Sequence, residues 1–158
     1  MMRIELQRAK IADAEIIYHM QTASFKSLLD KYQDFDTNPG AEPLEKVIDR
    51  FNQQCTHFYI INYECKTVGA IRIVQKDDGN RCRISPLFIL PEYQNRGIAQ
   101  EVFKIIENKY RPQKGWELDT ILEEQGNCHL YEKMGYKRTG EYRKIKDRMT
   151  LVYYEKEV

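Results

Sequence analysis

Alternation opens the chain: Ile4 and Leu6 stand apolar between charged or polar neighbours over residues 3–9, the period of a half-buried strand. The period then changes. Ile16, Ile17, Met20, Ala23 and Leu28, mostly three or four apart over residues 12–28 with Asp13 near the start, predict an amphipathic helix. Residues 29–40 mix aromatic and acidic side chains without a period and read as irregular. A second helix follows Pro43, with Leu44, Val47, Ile48 and Phe51 at the spacing of a buried face. Residues 57–63 and 67–74 read as a hairpin, the second strand interrupted by Gly69. Asp77, Asp78, Gly79 and Asn80 then turn the chain into an antiparallel strand over 81–90. Pro86 within it cannot donate to a ladder, so it marks a bulge, an edge, or a place where the sheet opens to one side.

The apolar run Leu87, Phe88, Ile89 and Leu90 leads through a tight loop to a helix over 97–110, with Ile98, Val102, Ile105 and Ile106 on one side. Trp116, Leu118 and Thr120 then share one face of a further strand. Strand, helix and strand predict a βαβ crossover with its two strands parallel. The helix start then lies at the carboxyl end of the first strand, where ligands of such units bind. Its loop, Gln94, Asn95, Arg96, Gly97, Ile98 and Ala99, suits a phosphate. Gly97 permits a positive φ or close approach, free N–H groups at the helix start point outward, and Arg96 adds positive charge. A short helix runs from Asn127, its N-cap, to Met134, and Gly135 closes it as a left-handed cap. Residues 136–142 and 149–155 form a last antiparallel pair.

Two motifs carry a resemblance. The run 91–99 followed by an amphipathic helix is similar to the acetyl-CoA pyrophosphate loop of the GNAT acetyltransferase family, whose pattern is Gln/Arg-x-x-Gly-x-Gly/Ala. About thirty residues on, Asn127 and then Tyr131, Glu132, Lys133, Met134, Gly135 and Tyr136 resemble the family's second signature, Asn followed by Tyr-Glu-Lys-x-Gly-Phe/Tyr. Either motif alone is weak; both in this order and spacing are specific. The resemblance implies an α/β fold: a mixed, mostly antiparallel sheet of about six or seven strands, splayed at a central parallel βαβ unit, with about four helices packed on both faces. It implies an N-acetyltransferase moving an acetyl group from acetyl-CoA to a primary amine of a small molecule or peptide, by direct attack in a ternary complex. The alternative is a non-catalytic acyl-CoA-binding sensor with the same fold.

The same resemblance assigns roles. Main-chain groups of Phe88, Ile89 and Leu90 pair with the pantetheine amides and face the thioester oxygen, residues Gln94 to Ala99 hold the pyrophosphate, and Asn127 reaches the pantetheine. Tyr131 is the candidate general acid, since a phenol of reference pKa ~10 is protonated at neutral pH and can give its proton to the departing thiolate, whose thiol lies near ~8.5. Lys133 either helps hold phosphates or is a solvated helix lysine. The region between the first two strands closes over the acceptor in the family. There Tyr32, Asp34, Phe35 and Asp36, with Glu42, would suit a cationic amine, or are a solvated loop with two aromatics tucked inward. Glu117, Asp119, Asp34, Asp36 and His57 are unranked candidates for the base.

Composition narrows the rest. With 158 residues, 42% hydrophobic and 31% charged, the chain suits a single folded domain over residues 1–158. A formal net charge of +1 without a dense basic block argues against nucleic acid. No run approaches the length of a membrane span and no signal peptide opens the chain, so a cytoplasmic location is expected. Cys55, Cys65, Cys82 and Cys128 are scattered, which predicts reduced thiols and no metal. The last strands offer a surface for a homodimer.

Overall fold

A computed structural model describes residues 3–157; Met1, Met2 and Val158, which the single-domain expectation includes, lie outside it. Seven strands form one sheet in the order β1-β2-β3-β4-β5-β7-β6. They are β1 (Ile4–Arg8), β2 (Thr56–Tyr63), β3 (Lys66–Lys76), β4 (Arg81–Ile89), β5 (Gly115–Ile121), β6 (Lys137–Lys146) and β7 (Met149–Lys156). All neighbours are antiparallel except β4 and β5, the parallel pair expected around the crossover helix.

Four α-helices cover the two faces: α1 (Ala14–Tyr32), α2 (Leu44–Phe51), α3 (Ile98–Tyr110) and α4 (Gln125–Lys133). Each face has its own core. Under α3 and α4 lie Ile71, Ile73, Val102, Phe103, Ile106, Trp116, Leu118 and Val152. Under α1 and α2 lie Ile17, Val47, Phe58, Ile60, Ala70 and Phe88. Burying these apolar faces is the main driving force, at roughly 25 cal/mol per Å² removed from water.

Three boundaries differ from the sequence reading. Helix α1 runs on through Leu29, Asp30, Lys31 and Tyr32, ending where Gln33 turns left-handed (φ 54°) and donates to the Leu29 carbonyl at 2.8 Å. Leu and Lys are good helix formers, and α1 is tied to its neighbours through Tyr32 and Lys31, so loss of the apolar period does not end it. Helix α4 starts at Gln125, so Asn127 lies in its first turn and Glu124 occupies the cap position. Strand β6 extends to Lys146, leaving only Asp147 and Arg148 to turn into β7.

Gly69 explains how closely β3 meets β4. A Cβ there would come within 2.1 Å of the Phe88 carbonyl oxygen. Opposite Ile71 and Ile73 the register of β4 slips between Leu87 and Ile84, which is the bulge that Pro86 foretold.

Candidate active site

Strands β4 and β5 lie side by side only at Arg81–Gly115, Cys82–Trp116 and Arg83–Glu117; then they part. The bulge at Ser85 and Pro86 turns β4 away while it remains bonded to β3. A cleft of about 590 Å³ follows, walled by Ile84 to Ile89 on one side and by Leu118 to Ile121 on the other.

Which main-chain groups face this gap follows from alternation. Leu90 donates to the Val68 carbonyl at 2.7 Å, so Leu90 and Phe88 turn their N–H and C=O groups toward β3. Those of Leu87 and Ile89 point into the gap. The expected run Phe88, Ile89, Leu90 is corrected accordingly. Ile89 offers its groups to the gap, Leu87 joins it, and the N–H of Leu90 is committed to the sheet. The Ile89 carbonyl already accepts the Gln94 side-chain amide at 2.9 Å, which ties the loop to the strand end.

The loop itself takes the form its residues require. Asn95 (φ 63°) and Gly97 (φ 82°) are both left-handed, a conformation that asparagine tolerates and glycine adopts freely. The chain enters α3 directly from Gly97, and Ile98, Ala99 and Gln100 have no intrahelical acceptor for their N–H groups. With the helix dipole, these make an anion site at the wide end of the gap. Gln94, Asn95 and Ala99 line the cleft, and Ile98 is buried, anchoring the helix below. The Arg96 guanidinium sits 5.4 Å from the centre of the Tyr93 ring.

From α4, Asn127 and Tyr131 also line the cleft. The Tyr131 ring is half-buried and held edge-on by Phe103 at 5.7 Å, with Tyr154 and Tyr136 beyond. Burial pushes its phenol up to about 12, with the Asp119 carboxylate and Cys128 acting in the same sense. No protein group among the described residues hydrogen-bonds its hydroxyl. A phenol kept protonated and without a partner, opening on a cleft, is equipped to donate. Lys133, by contrast, is exposed and does not line the cleft.

The acidic loop is also rearranged. Asp34 is fully buried and accepts the N–H groups of Asp36 (3.3 Å) and Thr37 (3.1 Å) and the Thr37 hydroxyl, so it builds the turn rather than facing a guest. Phe35 is 62% exposed, and Asp36 is exposed outside the cleft. Tyr32 donates to Glu124, which also pairs with Lys31 at 2.6 Å. Burial raises the Glu124 carboxyl, but the bonds from Lys31 and Tyr32 outweigh it and hold the group below its ordinary value. This knot ties the end of α1 to the start of α4. Tyr32, Asp34, Phe35 and Asp36 therefore all stand outside the cleft.

In their place stand Ser24, Phe25, Asn38, Glu42 and Arg50. Glu42 was visible as an acid near the loop. Ser24 and Arg50 gave no signal, because neither lies in a motif and only the packing of α1 against α2 brings them together. Of the candidate bases, Asp119 alone lines the cleft, its carboxylate held by Arg83 at 2.6 Å. Glu117 is bound up with Lys76 and Arg83. His57 bonds to Tyr110 at 2.8 Å, away from the cleft, and burial beside Arg8 and Lys109 keeps its imidazole below the usual range.

A sheet that opens beside a parallel βαβ unit, with a helix tip at its wide end, is the acetyltransferase architecture. The chain belongs to the GNAT acetyltransferase family: the sequence model described as an acetyltransferase (GNAT) domain matches residues 23–158. No curated protein sequence matches it. Among solved structures, it is similar in fold to an acetyltransferase from Thermus thermophilus (TM-score 0.74, 12% identity, covering 98% of this chain and 97% of that one). A spermidine N-acetyltransferase from Vibrio cholerae, in complex with CoA and spermine, superposes equally well (TM-score 0.74, 14% identity, 96% and 94% covered). A GNAT family acetyltransferase from Elizabethkingia anophelis with acetyl-CoA bound follows (TM-score 0.67, 18% identity, 98% of both chains). Among the described residues no helix is long and apolar enough to cross a membrane, and no group of three or more His, Cys, Asp or Glu is placed to hold a metal ion.

Proposed function

We propose that the protein, as one domain, transfers an acetyl group from acetyl-CoA to a primary amine of a small molecule or peptide, by direct attack within a ternary complex. The observation that carries this is the gap between β4 and β5, with unpaired main-chain groups on one wall and the Tyr131 hydroxyl opening on the same space. Solved neighbours bound to CoA or acetyl-CoA support the choice of donor, and the spermidine enzyme supports an amine acceptor.

The residues fit such a donor. Leu87 and Ile89 can continue their hydrogen bonding to the pantetheine amides as to another strand, and the N-terminus of α3 takes the diphosphate. Asn127, in the first turn of α4, closes the far side. The thioester supplies an activated acyl carbon and a thiolate leaving group. The Ile89 N–H, unpaired by the sheet, donates where the carbonyl oxygen gains charge. Asp119, oriented by Arg83, takes the proton from the incoming ammonium, directly or through one water, so that a neutral amine forms the C–N bond. As the C–S bond breaks, Tyr131 gives its proton to sulfur. The nitrogen gives up its second proton as the intermediate collapses, and that proton returns through water to the Tyr131 oxygen, leaving the amide, the free thiol and a restored phenol.

The test is calorimetric titration of the folded protein with acetyl-CoA, followed by thiol release against a panel of primary amines. Micromolar binding with amine-dependent thiol release is expected. Absence of binding overturns the reading.

A further inference from the structure

Beyond the gap the cleft continues under α1 and the segment leading to α2, and of the acids the sequence offered for the acceptor only Glu42 lines it. The acids of the loop face elsewhere. What remains is Arg50 paired with Glu42, the two side chains only 17% and 14% exposed. Arg50 Nη2 donates to Glu42 Oε1 at 2.9 Å. The second contact, Nη1 to Oε2 at 2.6 Å, is close but not aligned as a hydrogen bond, and both atoms are buried without another partner among the described residues.

A second guanidinium stands behind the wall. Arg72 donates through Nε to the carbonyl of Ser85, itself a wall residue, and through Nη1 to Gln53 at 3.2 Å. Its pKa is drawn down to about 10, by burial first and then by the positive charge of Arg50. The cleft is lined by one guanidinium, Arg50, and by three carboxylates, Glu42, Asp119 and Glu124, of which Asp119 is held by Arg83 and Glu124 by Lys31. Arg83, the next cation, is already matched by Asp119 and Glu117. On the α1 side Ser24 is 8% exposed, and its hydroxyl is buried without a partner. Unsatisfied buried donors are costly, and a guest that accepts from them relieves that cost.

We propose that the acceptor amine carries a carboxylate, as an amino acid or small zwitterion does, and that Arg50 with Ser24 receives this carboxylate while the amine reaches the gap. A guanidinium held by Glu42 presents its remaining N–H groups in a fixed plane, the arrangement that recognises a carboxylate. A polyamine brings no acceptor for the N–H groups of Arg50. This rests on the acetyl-transfer reading and names its substrate class.

The experiment compares matched pairs, several α-amino acids and their decarboxylated amines, with spermidine as a third probe, by steady-state thiol release. For the wild type, kcat/KM at least tenfold higher for the carboxylate-bearing member is expected. Arg50→Gln should bring that ratio close to one by raising KM for the amino acid at least tenfold more than KM for the matched simple amine. Ser24→Ala, which leaves no charge unpaired, should act in the same direction by severalfold and guards against a folding defect in the arginine variant. Preference for the decarboxylated amine or for spermidine overturns the inference and leaves acetyl transfer standing. So does an equal loss on both members in both variants. Failure to bind acetyl-CoA at all overturns the acetyl-transfer reading, and this inference with it.

Discussion

Replacing Tyr131 by Phe removes one oxygen and little else. The ring keeps its contacts with Phe103, Tyr136 and Tyr154, and no protein partner among the described residues is left unsatisfied, so stability should change by less than about 0.5 kcal/mol. Chemistry should suffer more. A phenol near 12 is a weaker acid than a thiol of reference pKa ~8.5, so full proton transfer to a free thiolate would run uphill by about 3.5 pH units, or roughly 4.8 kcal/mol, and Tyr131 must act in concert with C–S cleavage. General-acid assistance is typically worth about 10²–10⁴-fold, and this mismatch in pKa puts Tyr131 at the low end, so the loss is ~2.7 kcal/mol, or roughly a hundredfold in kcat. Steady-state thiol release should show that fall with KM and Kd for acetyl-CoA nearly unchanged.

The pH profile sharpens the test. The raised pKa keeps Tyr131 protonated well past pH 10, so wild-type kcat should show no basic limb below about pH 11. Linkage runs the same way. A folded-state pKa above the ordinary tyrosine value gives stability that is complete below pH 10 and is lost as pH rises through about 12. Unchanged kcat in the Phe variant, or a fall matched by weaker acetyl-CoA binding, would refute the acid role.

Gly97→Val forces a β-branched residue to a φ of 82°, at a cost of about 1–2 kcal/mol, and crowds the N–H groups of α3; calorimetry should show coenzyme A binding weakened at least tenfold. Asp119→Asn should lower kcat by about tenfold or more at pH 7, and the deficit should shrink at high pH, where the amine arrives already neutral; a constant deficit across pH would exclude the base role. Gly69→Ala places a methyl 2.1 Å from the Phe88 oxygen, so a urea denaturation series should register a loss of roughly 3 kcal/mol.

The parts of the fold legible in the sequence were those where local chemistry and global packing agree. Pro86 announced the bulge because a residue without an N–H has few other uses inside a strand. Gly97 and Gly135 announced their helix ends because both stand at positive φ, 82° and 95°. Alternation gave the buried face of β5, where Trp116, Leu118 and Thr120 are all buried. The end of α1 was misjudged because tertiary ties at Lys31 and Tyr32 extend a helix that its apolar period abandons. The side chains lining the cleft beneath α1 escape the sequence for a related reason. Composition marks Asp34 and Asp36 as charge available to a guest, but one folds inward to cap its own turn and the other points outward. Only the crossing of α1 and α2 selects Ser24, Glu42 and Arg50, which share no motif and no period along the chain.

The parting of β4 and β5 has a consequence for folding as well as for chemistry. Leu87 and Ile89 sit in the middle of a sheet with one side of their ladder unfinished, so a thioester laid along them, as proposed above, would act as a removable eighth strand. Amide exchange at these two residues should slow sharply when coenzyme A is added, and the melting temperature should climb with ligand concentration. Cellular supply of the donor would then set how much of this protein survives proteolysis, as well as how fast it turns over.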